Sequence, residues 1–84
     1  MRIDKYLKVS RLIKRRTVAN EACDNERVLV GGRPVRASYE VKLGDEVEIR
    51  FGAKSLTVRV LAINEHIGKD EACTMYEEIH RQTP

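Results

Sequence analysis

"MRIDKYLKVSRLIKRRTVANEACDN", residues 1–25, holds two helical patterns that cannot belong to one helix. At about 100° per residue, Ile3, Tyr6, Leu7 and Ser10 share one side of a first helix over residues 3–12, and Arg2, Lys5 and Lys8 share another. Asp4 stands near its start, where a carboxylate suits the helix dipole. Residues 16–25 give a second helix, with Val18, Ala19, Ala22 and Cys23 on its apolar face and Thr17, Asn20, Glu21 and Asp24 on its polar face. Extended backwards, that second wheel drops Arg15 between Val18 and Ala22. Burying an unpaired guanidinium there costs too much. Arg15 therefore belongs at the cap or in a break, and the chain opens helix–break–helix.

Outward from this stretch the period changes. "VLVGGRPV" reads as two short strands around a Gly31-Gly32 turn, and Pro34 makes the second an edge or irregular strand. After a Gly44-Asp45 turn, Val47, Ile49 and Phe51 alternate with Glu46, Glu48 and Arg50, the pattern of a half-buried strand. "GAK" turns the chain into a further strand, "SLTVRVLAI". In residues 69–82, "KDEACTMYEEIHRQ", Ala72, Met75, Tyr76 and Ile79 form a helical stripe behind Asp70 as N-cap. The expected order is ααββββα, a small α+β fold of one domain over residues 1–84. Two N-terminal helices pack on a short, mostly antiparallel sheet, and a C-terminal helix completes it.

The 84 residues are 42% hydrophobic and 35% charged, which fits a folded chain with a thin core. Apolar runs such as "VLAI" are far too short to span a bilayer, and the charged N-terminus has no secretory h-region, so a cytoplasmic protein is expected. Cys23 and Cys73 read as reduced core residues. His66 and His80 stand apart, outside any metal-ligand pattern, and neither a nucleophile elbow nor a P-loop is present. Asp70, Glu71, Glu77 and Glu78 fit a solvated helix face. No enzymatic activity, metal or cofactor is expected.

Charge is the distinctive feature. Residues 1–16 carry seven Lys/Arg and one acid, a balance of +6, while the remaining nine bases and twelve acids give −3. Arg11 and Lys14 fall at the favourable C-terminal end of the first helix, but Arg15 and Arg16 fall at the start of the second. There free N–H groups already form a positive pole, and each added cation costs about 0.3–1 kcal/mol. A phosphate reverses that sign, because N–H and guanidinium groups grip the same anion. Arg2, Lys5 and Lys8 continue the positive face, and Arg33 and Arg36 lie in a hairpin region able to fold back beside it. These nine residues are the candidate nucleic-acid surface. With only Phe51 and three tyrosines for stacking, recognition of phosphates and of folded RNA shape fits better than single-strand stacking. The competing reading is a basic membrane-surface or protein-interaction module in which Tyr6 and Leu7 enter lipid, although a thin core needs both residues.

Short motifs in order then carry a resemblance. "RIDKYL" resembles the R-x-D-x-x-L opening of the αL-type RNA-binding domain named after ribosomal small-subunit protein four. "RRTVA" stands at its S/T-R-x-x-A segment, "VLVGGRPV" at its V-x-V-N-G turn, and "SYEVKLGDEV" at its S-x-x-V-x-x-GD stretch. This likeness covers residues 1–51, leaving a strand and helix in residues 52–84 to complete the domain. "EACTMYEE" resembles the end of the heat-shock-protein-15-kilodalton family, in particular its RqcP-type branch. The resemblance implies non-enzymatic binding to the large ribosomal subunit, with contacts to ribosomal RNA and peptidyl-tRNA. It also implies work beside an RqcH-like tailing factor during C-terminal alanine tailing of stalled chains, or a general heat-shock-type rescue of peptidyl-tRNA. It matches the family's RNA-contacting positions to Arg2 and Arg16, and the charged face extends them. A monomer off the ribosome is expected. Three positions depart from the pattern: Arg15 replaces the capping Ser/Thr, which leaves Thr17 to cap; Glu26 stands at a usual Gly; and Gly31 replaces the turn Asn.

Overall fold

In the computed structural model, which describes residues 1–63 and 72–79, the two helical patterns form two helices, α1 (Ile3–Val9) and α2 (Arg16–Asp24). α1 stops where the chain turns left-handed at Arg11 (φ 65°), whose N–H donates to the Lys8 carbonyl at 3.0 Å. Glu26 (φ 58°) ends α2 in the same way. Its N–H donates to the Cys23 carbonyl at 3.0 Å, and the Arg27 N–H to the Ala22 carbonyl at 2.8 Å. That is the paired bonding of a Schellman motif, with glutamate in the position that favours glycine. Arg15 is the extended N-cap residue of α2 (φ −129°), with no side-chain capping bond. Thr17 lies inside the first turn, so the expectation that it caps the helix does not hold.

Five strands follow: β1 (Val28–Val30), β2 (Arg33–Pro34), β3 (Glu46–Phe51), β4 (Lys54–Val60) and β5 (Tyr76–Ile79). They make one antiparallel sheet in the order β2-β1-β3-β4-β5. Leu29 pairs with Pro34 and Val30 with Arg33, so Gly31 and Gly32 form a two-residue hairpin loop. Both have positive φ (60° and 84°), as a type I′ turn requires. Pro34 sits on the sheet edge, where its missing N–H breaks no ladder.

The first four strands are the expected ones; the C-terminal helix is not found in residues 72–79. Ala72–Met75 form a 3-10 turn, and Tyr76–Ile79 pair with β4, Arg59 opposite Glu77 and Val60 opposite Tyr76. The rest of that expected helix lies outside the described residues, as do His66, His80, Asp70 and Glu71. The helical stripe lost because β4 would otherwise present an open row of N–H and C=O groups. A short isolated helix offers little in exchange, since its nucleation is unfavourable. An Arg59–Glu77 ion pair at 3.5 Å accompanies the pairing.

One apolar cluster joins the helices to the sheet. Ile3, Tyr6, Leu7, Ala19, Val28, Val47, Val58 and Met75 are fully buried in it. The Tyr6 hydroxyl donates to the Met75 carbonyl at 2.7 Å, tying α1 to the turn that leads into β5. Tyr6 and Leu7 are therefore committed to the core, and the lipid-inserting reading loses both its residues. No helix among the described residues is long and apolar enough to cross a membrane.

Candidate nucleic-acid interface

The start of α1 is docked on the segment before β3. The Ile3 N–H donates to the Tyr39 carbonyl at 2.7 Å, the Asp4 N–H to the Ala37 carbonyl at 3.4 Å and the Val41 N–H to the Met1 carbonyl at 2.9 Å. Arg2 forms a bridge with Glu40, and the terminal amine lies 3.0 Å from the Glu40 carboxylate. These bonds satisfy the first N–H groups of α1 and carry Arg36 round to Arg2.

Asp4 organises the site. It is 2% exposed, yet it is ionised and paired on both sides. Arg2 Nη2 lies 3.3 Å from Oδ2, and Arg16 reaches the same carboxylate with Nε at 3.3 Å and Nη2 at 3.5 Å. The Lys5 N–H donates to Oδ1 at 2.8 Å. Burial pushes the carboxyl pKa up, but the Arg16 hydrogen bond, the Lys5 N–H and the charges of both arginines outweigh it, leaving it below the ordinary value. Asp4 thus does more than complement the α1 dipole. It fixes two guanidinium groups, from residues fourteen positions apart, beside the uncapped N-terminus of α2. Sequence reasoning missed this role. The signal was the R-x-D spacing together with a second arginine at a helix start.

Each arginine remains about half-exposed. A guanidinium has five N–H donors, and Asp4 engages only part of each set. Arg2, Asp4, Arg16, Thr17, Asn20 and Glu21 line one open cleft of about 470 Å³. A second, of about 600 Å³, shares Arg2 and Asn20 with it and runs to Arg36 and Ser38, past Asp24 and Glu26. The structure therefore brings Arg2, Arg16 and Arg36 to two adjoining clefts that meet at Arg2 and Asn20.

The other expected residues lie elsewhere on the surface. Arg33 is on the edge strand β2, outside the groove lining. Lys5 and Lys8 stand along α1, and Arg11 sits at its left-handed end. Arg15 is exposed at the α2 cap, whereas Lys14 lines a separate apolar groove on the other side of α2. Lys8, Arg11, Lys14, Arg15, Arg33 and Arg36 have no ion-pair partner among the described residues. No group of His, Cys, Asp and Glu among these residues is arranged to hold a metal. Cys23 is buried at 4% exposure, and its thiol pKa is pushed up to about 11 by burial and by the nearby carboxylates of Asp4 and Asp24.

Comparison with known proteins agrees with this architecture. Residues 1–47 match the S4 domain. The RQC P-site tRNA stabilizing factor of Halalkalibacterium halodurans is 53% identical over 77 residues, 92% of this chain and 88% of that protein. The protein of the same name from Streptococcus pneumoniae is 53% identical over 79 residues, 94% of this chain and 90% of that protein. Among solved structures, the trimeric Heat Shock Protein 15 of Vibrio cholerae superposes with a TM-score of 0.86 at 28% identity, covering 94% of this chain and 81% of its own. On sequence and fold together, the chain belongs to the S4-domain family and, within it, to the family of the RQC P-site tRNA stabilizing factors.

Proposed function

We propose that this protein is a non-enzymatic RNA-binding factor of ribosome-associated quality control that stabilises tRNA in the P site of the large subunit. Relatives named for that role support the reading from outside. From inside, one observation carries it: Arg2 and Arg16 flank the buried Asp4 carboxylate at an uncapped helix N-terminus, with much of each guanidinium facing a groove. Asp4 engages only part of each guanidinium, so the remaining donors face the cleft beside the uncapped start of α2, where Glu21 is the other acid of the lining. An RNA phosphate accepts from those donors. Arg36 extends the grip to a neighbouring phosphate, and Lys5, Lys8, Arg11, Lys14, Arg15 and Arg33 add longer-range attraction.

In the fuller reading the RNA is large-subunit ribosomal RNA together with peptidyl-tRNA. The protein acts in the cytoplasm as a monomer off the ribosome, and it supports alanine tailing beside an RqcH-like factor. The second reading, implied by the resemblance to the heat-shock-protein-15 family, is general rescue of peptidyl-tRNA on free large subunits. Loss of alanine addition in cells lacking the protein selects the first reading, and loss of peptidyl-tRNA clearance alone selects the second.

The site itself is tested by Arg16→Ala. A charge-assisted bond to phosphate predicts about tenfold weaker co-sedimentation with large subunits bearing peptidyl-tRNA. The slope of log affinity against log salt should fall by about one. Unchanged binding by a variant whose melting curve shows it folded sinks the assignment.

A further inference from the structure

Of the large apolar residues exposed among the described positions, Val18 (48%) and Phe51 (49%) open onto one groove. Leu12, Ile13, Ala22 and Ile49 complete its lining, and its volume is about 300 Å³. Lys14, Arg27 and Arg50 stand around it. Lys14 and Arg27 have no ion-pair partner among the described residues, and Arg50 pairs with Glu48 at 2.7 Å in an exposed contact of little strength. On α2, Val18 and Ala22 lie roughly half a turn round from Arg16 and Asn20. The groove therefore faces away from the arginine site, and the two can be occupied together.

We propose that this groove docks a protein segment that inserts an apolar side chain between Val18 and Phe51 and presents carboxylates to Lys14, Arg27 and Arg50. Charge complementarity selects this occupant. A second copy of the chain in a two-fold contact would bring three cations against their own copies. An RNA strand could set phosphates against the three cations, but between them the groove offers its bases a single aromatic ring, Phe51, and otherwise aliphatic walls with no acceptor for base edges. An apolar anchor with an acidic rim satisfies both the lining and the mouth. The protein would then hold RNA on one side of α2 and a protein partner on the other.

The test is selection from a random peptide display library on the purified full-length protein. The expected peptides carry a large apolar residue with Asp or Glu within one helical turn of it. Val18→Asp should weaken their binding at least about tenfold while leaving large-subunit co-sedimentation unchanged. Arg16→Ala should do the reverse, which separates failure of this proposal from failure of the RNA reading. The proposal is overturned if no peptide is enriched, if the enriched peptides lack acids, or if Val18→Asp binds them equally. Displacement of the peptides by a single-stranded oligoribonucleotide also overturns it. So does self-association that Val18→Asp abolishes, since that would assign the groove to a second copy.

Discussion

Replacing Asp4 by asparagine tests how the site is built, because it removes one charge and hardly changes shape. The amide oxygen can still accept the Lys5 N–H, but the amide nitrogen points donors at guanidinium donors. Removing one partner of a fully buried ion pair costs about 3–5 kcal/mol. Here Arg2 and Arg16 are 47% and 46% exposed and can recruit water, which lowers the expected cost to about 2 kcal/mol. For a chain of this size that is a fall of roughly 10 °C in melting temperature at neutral pH. The pH dependence supplies the sign. The Asp4 pKa is depressed in the folded state, so its contribution is present above the unfolded value of 3.8 and is lost as pH falls through the folded one. The gap between native and variant melting temperatures should therefore close on acidification below about pH 4. Thermal melts monitored by circular dichroism across that range measure it. Binding to large subunits should also weaken about tenfold, because both guanidinium groups lose their common anchor. A gap that stays constant with pH, or a variant as stable as the native protein at neutral pH, would refute the view that Asp4 acts as a buried anion.

Three further outcomes are expected. Arg11→Gly relieves a left-handed conformation at the end of α1 and should raise stability by about 1 kcal/mol, while the lost cation weakens subunit binding severalfold at low salt; denaturant melts and co-sedimentation measure the two effects. Tyr6→Phe should cost only about 1 kcal/mol in a urea titration, because the Met75 carbonyl it leaves still accepts the Leu61 N–H at 2.9 Å and the Ala62 N–H at 3.2 Å. Cys23, buried and with its pKa raised to about 11, should resist a thiol reagent at neutral pH in the native protein; rapid labelling of Cys23, mapped by mass spectrometry, before unfolding would contradict that placement.

Local chemistry alone determined much of this protein. The helical spacing of Ile3, Tyr6, Leu7 and Ser10, the Arg15 break, the Gly31-Gly32 turn and the exclusion of Pro34 from a central strand each depend on residues a few positions apart. In each case the side-chain period or backbone freedom leaves one good solution. The N-terminal charge asymmetry was legible for the same reason: charge sums without regard to fold. Tertiary structure decided the rest. Asp4 and Arg16 are joined only because α1 and α2 pack together, and Arg36 reaches Arg2 only because the Ala37–Tyr39 backbone caps α1. The Val18 face, which looks like core on a helical wheel, stays half-open because α2 packs mainly against α1, burying Ala19 and Cys23 and leaving Val18 on an open groove beside the end of β3. The clearest reversal is "YEEI", residues 76–79. Its helical spacing is real, but the open edge of β4 offers a full ladder of backbone hydrogen bonds. No window of sequence contains that edge, since it exists only once the other strands have paired.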